Sequence, residues 1–458
     1  MRHVFIIAGI ALYCAQAVGA SLADFYTVYL DASRNNPDIA ESRAEFTVAR
    51  EGVPQARAAL LPSLAAEGTL SGTDTVGALP SQNLQRDSSV YKLTLTQPVF
   101  RVDRWYHYAS AQRKNDQAML VLSADEQDLI LKSAELYVGV LQAQDELTTV
   151  EAELNALSTQ LDLVQQRHTI GIATQAEVFQ AQATVDATSA NQISVQRKLL
   201  EASDALNIFA HADYAGVRPI SNFFPLNTPT PASVDTWVNR AVEGNLRFLA
   251  SLQGVNAASE AVSEYKSEQL PSVDLVAQYA KGDNDAFGYT NQYSQHTYGN
   301  AVEQRTLSLQ VSVPIFSGGS SLSRIREGVG RLSISEDQSE SLKWQVVTGA
   351  RNYYRSVATG VAELGVLRRS VISNRGAVKA TQMGYDIGTG SLVDVLNAQR
   401  QLYSAIRSYS SSRYQYVLDT LKLKQVVGVL SPGDLKDLDM YLTQFNPAHV
   451  HDLDVLGF

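Results

Sequence analysis

The sequence predicts an α+β membrane protein: two copies of one unit give four β-strands to a barrel shared between chains and carry long paired α-helices. Three observations predict it. There is an internal duplication, each copy owns a very long proline-free run, and a segment of apolar–polar alternation precedes each run.

The duplication comes first because a missed repeat spoils every later assignment. Thr174-Gln-Ala-Glu177-Val-Phe-Gln-Ala-Gln182 matches Ser391-Leu-Val-Asp394-Val-Leu-Asn-Ala-Gln399 at a shift of 217 residues, counted from Thr174 to Ser391. Ile170-Gly171 matches Ile387-Gly388 at the same shift. Gln97-Pro98-Val99-Phe100 matches Val313-Pro314-Ile315-Phe316, and Leu61-Pro62-Ser63-Leu64 matches Leu270-Pro271-Ser272-Val273. Anchors in one order mean two copies. The organisation expected is a signal peptide over 1–20 and a first repeat over 21–218, with a β-hairpin at about 62–100 and long helices at about 101–210. A Pro-rich linker follows over 219–232. The second repeat spans 233–431, with a hairpin at about 271–316 and helices at about 317–431, and a C-terminal tail covers 432–458.

Each long run is helix-permissive because proline, which breaks helix interiors, is missing between Pro98 and Pro219 and between Pro314 and Pro432. In the first run Leu129, Leu136, Val140, Ala143, Leu147, Val150, Leu154, Leu157, Leu161 and Val164 recur at spacings of three and four, which is a coiled-coil seam. A helix from about Arg104 to Gln166 would be roughly 95 Å long.

The alternating segments read as strands. Tyr91, Leu93 and Leu95 share one face of the first, and Leu307, Leu309 and Val311 share one face of the second. Their partners, through Leu64, Ala66, Gly68 and Leu70 and through Val273, Leu275, Ala277 and Tyr279, alternate more weakly. The loops between them, about Gly72 to Ser89 and Gly282 to Gln304, are rich in Gly, Asn, Ser and Tyr. The long helices bury their own seams, so no apolar layer remains to cover these strands, and the apolar faces are expected to meet lipid. Four strands do not close a barrel, so several chains must share one.

At the far ends of the long helices lie two tight turns. Gly171 and Gly388 supply the left-handed residue that ends one helix, and Thr174 with Glu177 and Ser391 with Asp394 form capping boxes that start the next. From Asp394 a polar stripe runs through Asn397, Gln401, Ser404, Ser408, Ser411 and Gln415, beside an apolar seam through Val395, Leu402 and Ile406. A weaker stripe runs from Glu177 through Gln180 and Thr184. Small uncharged polar residues along a long helix suit the lining of a water-filled conduit.

Composition narrows the rest. The net charge of −10 argues against a nucleic-acid partner. Arg2 and His3, an apolar stretch to about Leu12 and Val18-Gly19-Ala20 read as an export signal cut after Ala20. The single cysteine, Cys14, falls inside it. No cysteine nucleophile, HExxH or Walker motif suggests an enzyme, and no cofactor is expected. His449 and His451 read as polar tail rather than a metal site.

These anchors resemble the TolC family of outer-membrane efflux and type I secretion channels over about Ser21 to Leu438. The most specific stretches are the Leu-Pro-Ser strand starts, the Gln97–Phe100 and Val313–Phe316 junctions, and Gly384-Tyr385-Asp-Ile-Gly-Thr-Gly-Ser-Leu-Val-Asp394-Val-Leu-Asn397. The resemblance implies a homotrimer with a 12-stranded barrel in the outer membrane of a Gram-negative bacterium, continued by an α-helical barrel in the periplasm. It implies a passive exit duct for type I protein secretion or for drugs and other small molecules. Its partners would be a periplasmic adaptor and an inner-membrane ABC or proton-driven pump. By the same resemblance Asp394 and Asn397 line a constriction, Tyr385 and Glu177 latch it, and Gly171, Thr174, Gly388 and Ser391 belong to tips that dock the adaptor. Asn397 stands where a second constriction acid is usual, and Gly390 where a basic latch residue is usual. The rival reading is a soluble periplasmic coiled-coil adaptor or spacer.

Overall fold

The structure, a computed structural model, describes residues 22–76, 84–221, 224–283, 287 and 301–442. The expected signal peptide with Cys14, part of each strand-connecting loop, His449, His451 and the chain end lie outside the described residues. The elements run β1 (Leu22–Ala23), α1 (Phe25–Asn35), α2 (Pro37–Ala58), β2 (Ser63–Thr75), β3 (Leu84–Phe100), α3 (Val102–Thr169) and α4 (Gln175–Ala210). They continue with β4 (Gly216–Val217), α5 (Val234–Gly244), α6 (Leu246–Ser267), β5 (Ser272–Asp283), β6 (Ala301–Ser312), α7 (Ser320–Asp386), α8 (Leu392–Val426) and α9 (Pro432–Asp439). They form two compact units, divided at Ala40/Glu41, Ala124/Asp125, Ala241/Val242 and Val347/Thr348.

The strand unit holds a four-stranded antiparallel sheet in the order β2-β3-β5-β6, so the two hairpins of the duplication lie side by side. Registry places Leu64 opposite Leu95, Leu95 opposite Ala277 and Ala277 opposite Leu307. Directly opposed residues share a face, so this apolar row crosses every strand of the sheet. Leu275 with Leu309, and Val273 with Val311, extend it. The opposite face carries the row Ala65, Thr94, Gln278 and Thr306. Tyr91, Leu93, Leu95, Leu307, Leu309 and Val311 are all exposed, Leu307 by 72%.

The strands are longer than the sequence suggests. Ser71 to Thr75 pair with Ser89 to Leu84 in ladder registry, and β5 and β6 pair out to Asp283 and Ala301, shortening both expected loops. Short polar residues mask a strand whose backbone partners are already in place. The second junction departs from the first: Gln97–Phe100 stays in β3, with an irregularity between Pro98 and Phe100, whereas β6 ends at Ser312 before Val313–Phe316. Pro314 has no N–H to give a ladder and no bulge to sit in.

The helical unit keeps the predicted seam. Leu129, Val140, Ala143, Val150, Leu157, Leu161 and Val164 are buried, while Leu136, Leu147 and Leu154 are half-buried. Burying each such aliphatic contributes about 1.5–3 kcal/mol. Tyr137, Val138 and Leu141 are buried too, because here α3 is covered from several sides. Phe25 of α1 lies with its ring centroid 3.9 Å from that of Tyr137, whose hydroxyl donates to the Ala23 and Arg218 carbonyls.

Two segments that read as linker and tail have structure. The stretch after Pro219 pairs with the chain's last described residues: Ser221 N donates to Tyr441 O at 2.7 Å, and Ile220 bridges Leu442. Residues 432–439, expected in the tail, form α9, with Pro432 in the first turn where its missing N–H costs nothing. Asp439, at the end of α9, accepts from the α1 amides Phe25 N at 2.8 Å and Tyr26 N at 3.1 Å. Burial and then the nearby Asp24 push its carboxyl up to about 6.

Candidate functional site

The duplication repeats the turn backbone and the helix caps at the hairpin tips. In the first, Gly171 N donates to His168 O, and Ile172 N and Ala173 N both donate to Arg167 O. In the second, 217 residues on, Gly388 N donates to Tyr385 O, and Thr389 N and Gly390 N both donate to Gly384 O. Gly171 and Gly388 both sit at φ +80°, where a side chain would be strained. Both capping boxes close: Thr174 Oγ1 accepts from Glu177 N, and Ser391 Oγ accepts from Asp394 N. The carboxylates accept in return, Glu177 from Thr174 N at 2.7 Å and Asp394 from Ser391 N at 3.2 Å.

Asp394 is therefore a capping residue first. The Ser391 hydroxyl, donating at 2.7 Å, and the Ser391 amide hold its carboxyl below the usual aspartate value. The repulsion expected among several such acids in an oligomer would act against this preference for the charged form. Asn397 and the whole stripe on to Gln415 are exposed, while Val395, Leu402 and Ile406 are buried, as the spacing predicts. The stripe from Glu177 is mixed, with Gln180 exposed and Thr184 half-buried.

Tyr385 is buried in an apolar cluster with Leu157, Leu161, Val164, Leu392, Val395 and Leu396, which joins the tips of the two repeats. The group over its ring is Arg167, with the guanidinium carbon 4.6 Å from the ring centroid. Arg167 Nη2 also meets Asp386 Oδ1 at 2.7 Å, and Gln382 Nε2 donates to the same oxygen. Sequence reasoning assigned Arg167 and Asp386 no role, although both flank the tip glycines. Their pairing crosses from one repeat to the other, which no within-repeat spacing encodes. Glu177, the expected acidic partner of Tyr385, spends its carboxylate on its own cap within one chain. Gly390 is fixed by packing: a Cβ there would stand 3.2 Å from Gly384 C and Tyr385 N.

Behind the tips, α3 and α8 run antiparallel and are joined by polar contacts. Gln127 Nε2 donates to the Gly428 and Leu430 carbonyls, and Lys422 pairs with Glu135 at 3.1 Å. Tyr414 donates to Asp145 at 2.7 Å, with Arg413 3.7 Å from the same oxygen. Burial pushes the Asp145 carboxyl up, while Arg413 and Tyr414 pull it back. Tyr403 donates to Ala152 O, and burial followed by the charge of Glu153 pushes its hydroxyl up to about 12. Arg407 meets Glu153 at 2.8 Å, and the Glu153 side chain is only 9% exposed.

A family model described as outer membrane efflux protein matches residues 28–208 and 237–429, one block for each repeat. The chain belongs to the outer membrane efflux protein family. Outer membrane protein TolC of Vibrio cholerae serotype O1 is 28% identical over 436 residues, covering 95% of this chain and 97% of the relative. The alkaline protease secretion protein AprF of Pseudomonas aeruginosa is 26% identical, covering 92% of this chain and 87% of the relative. The solved structure of the outer membrane protein VceC from Vibrio cholerae superposes with a TM-score of 0.75 at 17% identity, over 88% of this chain and 96% of that one. A member of this family is an outer-membrane exit channel of the TolC type, and the soluble-adaptor reading falls. No helix among the described residues is long and apolar enough to cross a membrane.

Proposed function

We propose that the chain assembles as a homotrimer, in which three four-stranded sheets close one 12-stranded barrel, and that it works as a passive duct gated at its helical tips. The sheet carries the reading: its apolar row crosses all four strands, and among the described residues β2 and β6 each present an edge with no partner in the sheet. Lipid tolerates such edges only when they are paired, so copies of the chain must pair β6 of one with β2 of the next.

In this reading the exposed stripe from Asp394 through Asn397 faces the water-filled lumen, and one carboxylate per chain forms the narrowest ring. Tyr385, packed under Arg167, and Glu177 at the neighbouring tip hold the closed arrangement. Gly171, Thr174, Gly388 and Ser391 shape the surface offered to a periplasmic adaptor. The energy for export comes from an inner-membrane ABC or proton-driven pump. AprF is named for protease secretion and other relatives for efflux, so the cargo is either an exported protein or a small molecule.

Comparing spent medium and drug susceptibility with and without the gene tests the duct. Loss of particular secreted proteins marks a type I secretion duct, and heightened susceptibility with unchanged medium marks efflux. If both stay unchanged, the duct reading fails.

A further inference from the structure

We propose that the apolar face of the sheet ends in a binding site for a phosphate-bearing glycolipid of the outer leaflet, formed by Arg305, Lys281, Tyr279 and Tyr91 at the loop end of β5 and β6. The proposal rests on the barrel reading and deepens it by naming a lipid and the place it occupies.

Registry puts the site at one level. On the apolar face, the rows nearer the helices run through Leu64, Leu95, Ala277 and Leu307, through Leu275 with Leu309 and through Val273 with Val311, and they hold no charge. One row further from the helices, about 7 Å along the strands, the same face reads Ala66, Leu93, Tyr279, Arg305. The next row reads Gly68, Tyr91, Lys281, Glu303. Charge therefore begins where the apolar band ends. Tyr279 and Tyr91 stand at that boundary, 37% and 63% exposed, and tyrosine is a side chain that suits the headgroup level of a membrane. With the helices on the periplasmic side, the boundary belongs to the outer leaflet.

The polar groups there are arranged for an anion. Glu303 Oε1 accepts from Lys281 Nζ at 3.0 Å, while Arg305 Nη2 stands 3.9 Å from Glu303 Oε2, too far for a hydrogen bond. One carboxylate thus faces two cations, which leaves a net positive charge. The Arg305 guanidinium carbon lies 6.0 Å from the Tyr279 ring centroid, and the Arg305 side chain is 80% exposed. Among the described residues Arg305 makes no hydrogen bond, and its planar fork of five donors fits a phosphate. The acid one row further out, Asp283, is turned onto Ser89 N and Oγ at 2.7 and 3.3 Å. The duplication does not account for the cations. Aligned on Pro98 with Pro314 and on Pro62 with Pro271, the first-repeat counterparts of Arg305 and Lys281 are Ser89 and Gly72. A phosphate on the cations, with acyl chains along the Leu307 and Leu309 rows, answers both the charge and the apolar surface beside it.

Native mass spectrometry of the assembled full chain, purified from the outer membrane in detergent, tests this with added diphosphoryl lipid A, the same lipid without its phosphates, and inorganic phosphate. The expected result is binding of the diphosphoryl lipid that is about tenfold weaker in Arg305→Gln, which leaves the Lys281–Glu303 pair in place, and partly restored in Arg305→Lys. Equal binding by the wild type and Arg305→Gln, or undiminished binding of the phosphate-free lipid by the wild type, overturns the site. Displacement by inorganic phosphate at matching concentration overturns the lipid assignment in favour of a free anion. The barrel reading fails separately, and takes the site with it, if the chain is recovered from cells without detergent.

Discussion

The sheet and the α3–α8 seam invert each other. The sheet turns Leu307 and Leu309 outward and leaves them exposed, whereas the seam turns Glu153 and Arg413 inward and buries them. In the proposed barrel the difference reflects what surrounds each region: the sheet would leave its leucines uncovered because the solvent it faces is hydrocarbon, and a helical pair can cover its charges when each is answered by a partner of opposite sign.

Placing a charge on the sheet's outer face attacks the comparison at its strongest point. Leu307→Arg should cost about 2–4 kcal/mol if the residue lies near the bilayer midplane, and assembled protein in the outer-membrane fraction should fall sharply. Thr306→Arg, one residue along on the other face, should leave that fraction nearly unchanged. Equal losses from both would mean the two faces see the same solvent.

The seam makes the opposite demand. Glu153→Ala strands Arg407 and should destabilise the chain by about 3 kcal/mol. Glu153→Met with Arg407→Met should recover most of that, as read by thermal unfolding in detergent. A double variant no better than the single would show that packing rather than charge compensation holds this level.

A smaller effect is expected from Tyr414→Phe, which removes the donor to Asp145 and should cost about 1–3 kcal/mol. Because burial already favours the protonated Asp145, the loss should be greater at neutral than at mildly acidic pH.

The smallest effect concerns the α1–α9 contact. The Asp439 carboxyl is raised to about 6, against an ordinary aspartate value of about 4. The folded chain therefore keeps a proton that the unfolded chain gives up. This contribution is fully present below about pH 4 and is lost as pH rises through about 6. Asp439→Asn should flatten the melting temperature across that window, and an unchanged slope would assign the dependence to another group.

Much of this was legible in the sequence, and what was hidden has a common cause. The 217-residue shift from Thr174 to Ser391 foretold two tips with the same glycine turn and the same capping box, because both are local chemistry. The stripe from Asp394 to Gln415 was legible because helical period alone decides which side faces out. The pairs Arg167–Asp386 and Glu153–Arg407 were not, since each joins residues of different repeats and depends on how the hairpins lie together. The outer ends of the strands were missed because Ser71–Thr75 has loop composition, and only its ladder with Leu84–Ser89 makes it strand. Helix α9 is eight residues long, and it owes its place to Asp439 on the α1 amides, which no local pattern records.

The most direct measurement of the central claim is single-channel recording of the purified full chain in planar bilayers, with Asp394→Ala beside it. The account predicts discrete current steps whose size and divalent-cation block change when the Asp394 carboxylate is removed. No current steps from correctly assembled protein, or identical steps and block in the variant, would contradict a duct narrowed at that residue.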